Sequence, residues 1–150
     1  MQAQHQQSIH PNLMTSALPA AEDFARMAEQ GYEIVISMCQ DIDSETLKGE
    51  DDLVSKAGMR YIHLPVTFVA PTLDDYELLR DILRSVQDRK VWLHCARNWR
   101  VSAFMIIYHI VEMSMLHSEA EEIAHRIWQP DETWQALIDE AIEKYAYQYL

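Results

Sequence analysis

The sequence predicts an α/β domain: a mostly parallel central sheet flanked by helices, finished by a helical C-terminal third. Three observations carry this expectation. Strand-like and helix-like segments alternate as far as Leu116, the pattern of successive strand–helix–strand units. Ile34-Val35-Ile36 is an unbroken apolar run of the kind that a strand covered on both faces requires. Beyond Leu116 only helical periodicity follows.

Residues 1–10 are polar, with four glutamines and two histidines, and are expected to form a mobile lead outside the packed domain. Residues 12–18 read as a short strand leading to Pro19. Proline suits the first helical position, and Phe24, Met27 and Ala28 then share one face. Gly31 closes this helix in the left-handed conformation. Residues 33–38 form the buried strand, 50–57 a short helix closed by Gly58, and 60–66 a second strand stopped by Pro65. Thr72 caps the next helix, with Asp74 and Asp75 in its first turn and a stripe of Tyr76, Leu79, Ile82, Leu83 and Val86. A third strand covers 90–94 and a long helix 101–116. Ser118-Glu119-Ala120-Glu121 reads as a capping box, and a last helix starts at Asp131.

The chain has 150 residues, which suits a single domain spanning 1–150. Its 24 Asp and Glu against 12 Lys and Arg give a formal charge of −12. Nucleic acids and acidic membranes are therefore excluded as partners, since both require clustered basic residues. Two cysteines, Cys39 and Cys95, cannot make a disulfide framework and fit a reducing compartment. Residues 1–12 hold no apolar signal-peptide core, and the longest apolar stretch, 101–116, is broken by Ser102, His109, Glu112 and Ser114. The expectation is a soluble, cytoplasmic protein.

Ligands of such folds bind beyond the carboxyl ends of the strands. There the sequence reads His94-Cys95-Ala96-Arg97-Asn98-Trp99-Arg100, joining a strand to a helix. A loop in this place aims backbone N–H groups and the helix dipole inward. Cys95 would sit among those dipoles with Arg97 and Arg100 nearby, a setting that favours the nucleophilic thiolate. Arg100 could grip two oxygens of an oxyanion with its planar fork. A buried structural cysteine is the plainer alternative.

His94-Cys95-x4-Arg100 between strand and helix resembles the phosphate-binding loop of the cysteine-dependent phosphatases. The chain more narrowly resembles the bacterial tyrosine-phosphatase-like group, dual-specificity phosphatase-like and beta-lactamase-hydrolase-like. Ser16-Ala17-Leu18-Pro19, Gly31-Tyr32-Glu33-Ile34-Val35-Ile36 and Tyr61-Ile62-His63-Leu64-Pro65-Val66 stand in the order of that group's elements. Ala70-Pro71-Thr72, Arg100-Val101-Ser102-Ala103-Phe104 and Trp128-x-Pro130 continue the series. The resemblance implies the cysteine-phosphatase fold and hydrolysis of phosphate monoesters such as phosphotyrosine, in a small molecule or a phosphoprotein. It makes Cys95 the nucleophile, Arg100 the phosphate clamp and His94 the residue that orients the loop. Backbone N–H groups of Ala96, Arg97, Asn98, Trp99 and Arg100 would form the oxyanion cradle, with no cofactor or metal required.

The chain departs from the group at four points. Four residues, rather than five, separate Cys95 from Arg100, the spacing of many rhodanese-type sulfurtransferases, which carry a persulfide on this cysteine. Asn98 replaces a glycine, and Val101 stands where Ser or Thr commonly assists departure of the thiolate. The segment Thr67-Phe68-Val69-Ala70 has no carboxylate to serve as general acid. Asp41, Asp43, Asp74 and Asp75 are the remaining candidates, each with an ordinary alternative as a loop or helix-start charge. A phosphatase, a sulfurtransferase and a phosphate-binding module with little turnover all stay open. Cys39, just past a strand end, is a core thiol or a redox partner for Cys95. His109, His117 and His125 lack a metal-binding pattern. The late aromatics Trp128, Trp134, Tyr145, Tyr147 and Tyr149 read as helix packing, or as an interface; the sequence leaves the oligomeric state open.

Overall fold

The computed structural model describes residues 1–41 and 46–146. Its strands are β1 (Gln7–His10), β2 (Leu13–Ser16), β3 (Ile34–Ser37), β4 (Arg60–His63) and β5 (Val91–His94). Its helices are α1 (Asp23–Glu29), α2 (Glu50–Lys56), α3 (Leu73–Ser85), α4 (Trp99–Val111), α5 (His117–His125) and α6 (Glu132–Tyr145). The strands form one sheet in the order β1-β2-β5-β3-β4. All neighbours are parallel except β1, which runs antiparallel to β2.

Strand alternation explains the unbroken apolar runs. Ile34, Ile36, Val91 and Leu93 face the large cluster shared with α3, α4, α5 and α6. Val35 and Trp92 face the opposite side, with Phe24 and Met27 of α1 and Val54 of α2. Both faces of β3 and β5 are therefore covered, and neither strand can afford a polar alternate. Past the apolar stretch the same register sends Ser37 and His94 to the α1–α2 side. Helix α4 lies deepest. Val101, Phe104, Ile106 and Ile107 are each at most 1% exposed. Such side chains contribute about 1.5–3 kcal/mol each.

Several expectations are corrected. Residues 1–10 belong to the fold: β1 pairs on the sheet edge, Ala3 and Ile9 are buried, and the Gln2 N–H donates to Asp23 Oδ1 at 2.7 Å. An edge strand needs only one covered face, so polar composition does not exclude it. Helix α1 starts at Asp23 rather than Pro19, because the Asp23 carboxylate also accepts the Ala20 N–H at 2.9 Å and fixes the preceding turn. The second long strand ends at His63, three residues short of Val66. The apolar helix begins at Trp99 and stops at Val111, and Ser114 beyond it adopts a left-handed φ of 56°. Ser118 makes no cap: α5 starts at His117, with Leu116 in the capping position and no side-chain bond. Thr72 does cap α3, and with Asp75 it closes a reciprocal capping box that the sequence reading did not specify: Asp75 N–H donates to Thr72 Oγ1 at 3.1 Å and Thr72 N–H to Asp75 Oδ2 at 2.9 Å. No described helix is long and apolar enough to cross a membrane.

Candidate active site

The loop from Cys95 to Asn98 joins β5, the central strand, to the N-terminus of α4. Cys95 is 1% exposed and packs in the larger cluster. Asn98 takes φ 64° and ψ 14° immediately before the helix, the left-handed conformation that asparagine tolerates among few residues. Its Nδ2 donates to His5 O at 2.7 Å, fastening the loop to the N-terminal segment. Leu18 N–H donates to Ala96 O at 3.1 Å on the adjoining side.

Arg100 lies in the first turn of α4 and is 4% exposed. Its Nη1 donates to Val66 O at 2.9 Å and Met38 O at 3.3 Å. These carbonyls follow β4 and β3, so the guanidinium is braced against two strand ends before it meets any ligand.

His94 is fully buried beside Cys95. Its Nε2 lies 2.5 Å from Glu50 Oε2, and its Nδ1 lies 3.3 Å from the Cys95 carbonyl oxygen. Glu50 opens α2 and is itself 4% exposed. A carboxylate this deep requires a partner, and His94 is that partner. Sequence reasoning missed Glu50 because nothing in its spacing ties position 50 to position 94. Its signal was the preceding Gly49, whose φ of 78° turns the chain into α2.

The acid candidates separate. Asp75 is bound into the α3 capping box with Asp74 beside it, which accounts for both as helix-start charges. Asp41 lines a cavity of 660 Å³ with Cys39, Glu50 and His63. Asp43 lies outside the described residues. The 67–70 segment, where an acid was sought, is held by aromatic packing. Phe68 meets Trp99, Trp128 and Trp134 with ring centroids 5.8–6.1 Å apart, and Trp134 Nε1 donates to Phe68 O at 2.8 Å. Trp99 stacks on Trp128 at 4.9 Å. Trp128 and Trp134 thus tie the C-terminal helices to the loop region, as helix packing predicted; Tyr147 and Tyr149 lie outside the described residues.

Cys39 and Cys95 are both free thiols. Burial pushes the Cys39 thiol up to about 12, reinforced by the proximity of Cys95 and partly offset by a hydrogen bond with Ser37. Cys39 is thereby held as the neutral thiol.

A family model described as "DSP-PTPase phosphatase fused to NAD+ Kinase" matches residues 2–143. The chain belongs to this family. No curated protein matches it. Among solved structures, this DSP-PTPase domain is similar to a candidate phosphatase (DUF442) of Shewanella putrefaciens CN-32. The identity is 27% over 96% of this chain and 95% of the other, with a TM-score of 0.86. P. aeruginosa TpbA, solved in complex with pTyr, is 22% identical over 95% of this chain and 90% of its own, at TM-score 0.72. PTPMT1, solved in complex with PI(5)P, is 17% identical over 97% and 99%, at TM-score 0.80. The last two likenesses establish the fold alone. The DSP-PTPase fold is that of the cysteine-dependent tyrosine-phosphatase-like proteins.

Proposed function

We propose that the protein is a cysteine-dependent phosphatase hydrolysing phosphate monoesters, with Cys95 as nucleophile and Arg100 as phosphate clamp. The observation that carries this reading is the bracing of buried Arg100 on Val66 O and Met38 O, five residues after buried Cys95 at a helix N-terminus. A preset guanidinium at a helix N-terminus is the kind of preorganised positive charge that phosphoryl transfer uses most, which supports this reading.

In the proposed reaction the Cys95 thiolate attacks phosphorus in line. The S–P bond forms as the ester P–O bond breaks, and the alcohol oxygen leaves with the bonding pair and takes up a proton. Water then attacks the thiophosphoryl group, releasing inorganic phosphate and regenerating the thiolate. Glu50 positions His94, and His94 in turn holds the Cys95 backbone. The 67–70 segment carries no carboxylate, so aryl phosphates, whose oxygens leave readily, are the preferred substrates; a missing general acid costs about 10²–10⁴ in rate for poorer leaving groups. TpbA bound to pTyr and PTPMT1 bound to PI(5)P support a phosphorylated substrate.

The four-residue spacing between Cys95 and Arg100 favours a second reading, sulfur transfer through a Cys95 persulfide. Mass spectrometry of rapidly quenched protein separates the two. A phosphoryl group on Cys95 after mixing with an aryl phosphate is the expected result. A sulfur adduct from thiosulfate, with no phosphoryl adduct, would replace the phosphatase reading by the second.

A further inference from the structure

We propose that Asn98 is a positioning residue: its side chain tethers the phosphate loop to the N-terminal segment, and this tether holds the loop in the shape that phosphate binding and turnover require. The inference rests on the phosphatase reading and brings into it residues 2–18, which the reaction scheme leaves unused. Asn98 lies between Cys95 and Arg100 and is 0% exposed. Its φ of 64° turns the loop into the helix, and its carbonyl oxygen accepts the Ser102 N–H at 2.9 Å to open α4. Glycine adopts such a φ at no steric cost, but only asparagine adds an amide that can bind elsewhere.

That amide reaches across to the sheet edge. Asn98 Nδ2 donates to His5 O at 2.7 Å and to Thr15 Oγ1 at 3.4 Å. Thr15 sits in β2 opposite Leu93 of β5, and its hydroxyl donates in turn to Gln7 O at 2.8 Å. Leu18 N–H donates to Ala96 O at 3.1 Å, so a second loop residue is fastened to the same segment.

The segment is itself anchored on its far side. Gln2 N–H donates to Asp23 Oδ1 at 2.7 Å, and Ala17 N–H to Gln4 O at 2.9 Å. Ala3 packs in the cluster of Phe24 and Met27. Among these anchors His5 takes a left-handed φ of 52°, a conformation that costs an ordinary residue energy and persists where its surroundings impose it. The His5 side chain is exposed, so packing of the imidazole does not explain the bend. What the bend does is present the His5 carbonyl to Asn98. A cradle of backbone donors must be set before the reaction, and a displacement of about 1 Å costs on the order of 10²-fold in rate.

The test breaks the tether from either end and measures aryl phosphate hydrolysis beside thermal unfolding. Asn98→Gly keeps the left-handed turn and loses the amide. His5→Pro, whose φ is locked at about −65°, removes the bend and leaves the loop sequence untouched. Each is expected to lower kcat about tenfold while KM changes less than about threefold, because the cradle is preset for the transition state. His5→Gly, free to adopt the bend, should rescue kcat. The double variant Asn98→Gly/His5→Pro should lose no more than the worse single one, since both break one contact. A kcat within about twofold of wild type in folded Asn98→Gly, or losses that multiply in the double variant, would overturn the tether. A merely structural role would lower Tm and leave kcat in place. If wild type hydrolyses no aryl phosphate, the phosphatase reading fails and the tether is judged by calorimetry with inorganic phosphate. Binding about tenfold weaker in His5→Pro than in wild type sustains it; equal affinities, or no binding to either protein, overturn it.

Discussion

Glu50 and His94 form a buried pair next to Cys95, and the proposed reaction relies on it to position the nucleophile. Truncating Glu50 leaves His94 Nε2 buried without its partner, at a cost of about 2 kcal/mol in stability. Glu50→Ala is therefore expected to lower the unfolding free energy by that amount, measured in urea. It should also lower kcat/KM about tenfold, roughly 1.4 kcal/mol of transition-state stabilisation, with Glu50→Gln recovering most of both. A variant that loses stability but keeps full activity would reduce Glu50 to a packing role. Cys39 makes a second expectation at this scale. With its thiol pushed up to about 12 by burial, it should resist iodoacetamide in the folded protein at pH 8 and react only on unfolding. Peptide mapping after alkylation reads this directly. The residues that sequence reasoning found at the site, Cys95 and Arg100, share one local motif. Glu50 and the carbonyls of Met38 and Val66 escaped it because they enter from other strands and helices, where only the folded register brings them near.

Among the elements, those with strong local grammar were legible. The β3 and β5 runs declared themselves because both faces are covered. The α3 start did so because Thr72 and Asp75 satisfy each other's backbone across three residues. Thr72→Ala should cost about 1 kcal/mol in thermal or urea unfolding, the ordinary worth of such a cap. Strand β1 was illegible since an edge position tolerates polar residues, and only its pairing with β2 gives Gln7–His10 a conformation. The start of α1 was mistaken for Pro19 because the deciding interaction, Asp23 with Gln2 and Ala20, reaches back to the polar lead. At α5, Ser118 offered a capping pattern, but the helix had already begun at His117.

At the scale of the whole molecule, buried titratable groups on both sides of neutrality set the pH range of stability. Desolvation lowers His10 and His109 from 6.5, so the folded state resists protonation that the unfolded chain accepts. Their effect is absent above pH 6.5, and stability falls as pH drops below it. Burial raises Cys39 from 9.0 and Tyr61 from 10.0, each to about 12. The unfolded chain then ionises first, so stability falls as pH rises from 9 towards 12. Thermal unfolding at pH 5, 7.5 and 10.5 should place the highest Tm in the middle sample. On the same scale, the parallel sheet sets the end of β5 against the start of α4, and the proposed reaction draws on this placement to use Cys95 and Arg100 together. The most direct measurement is steady-state hydrolysis of an aryl phosphate by reduced wild type, Cys95→Ser and Arg100→Ala between pH 5 and 8. The account predicts turnover in wild type and its loss in both variants; no turnover in wild type with Cys95 verified as the free thiol would contradict it.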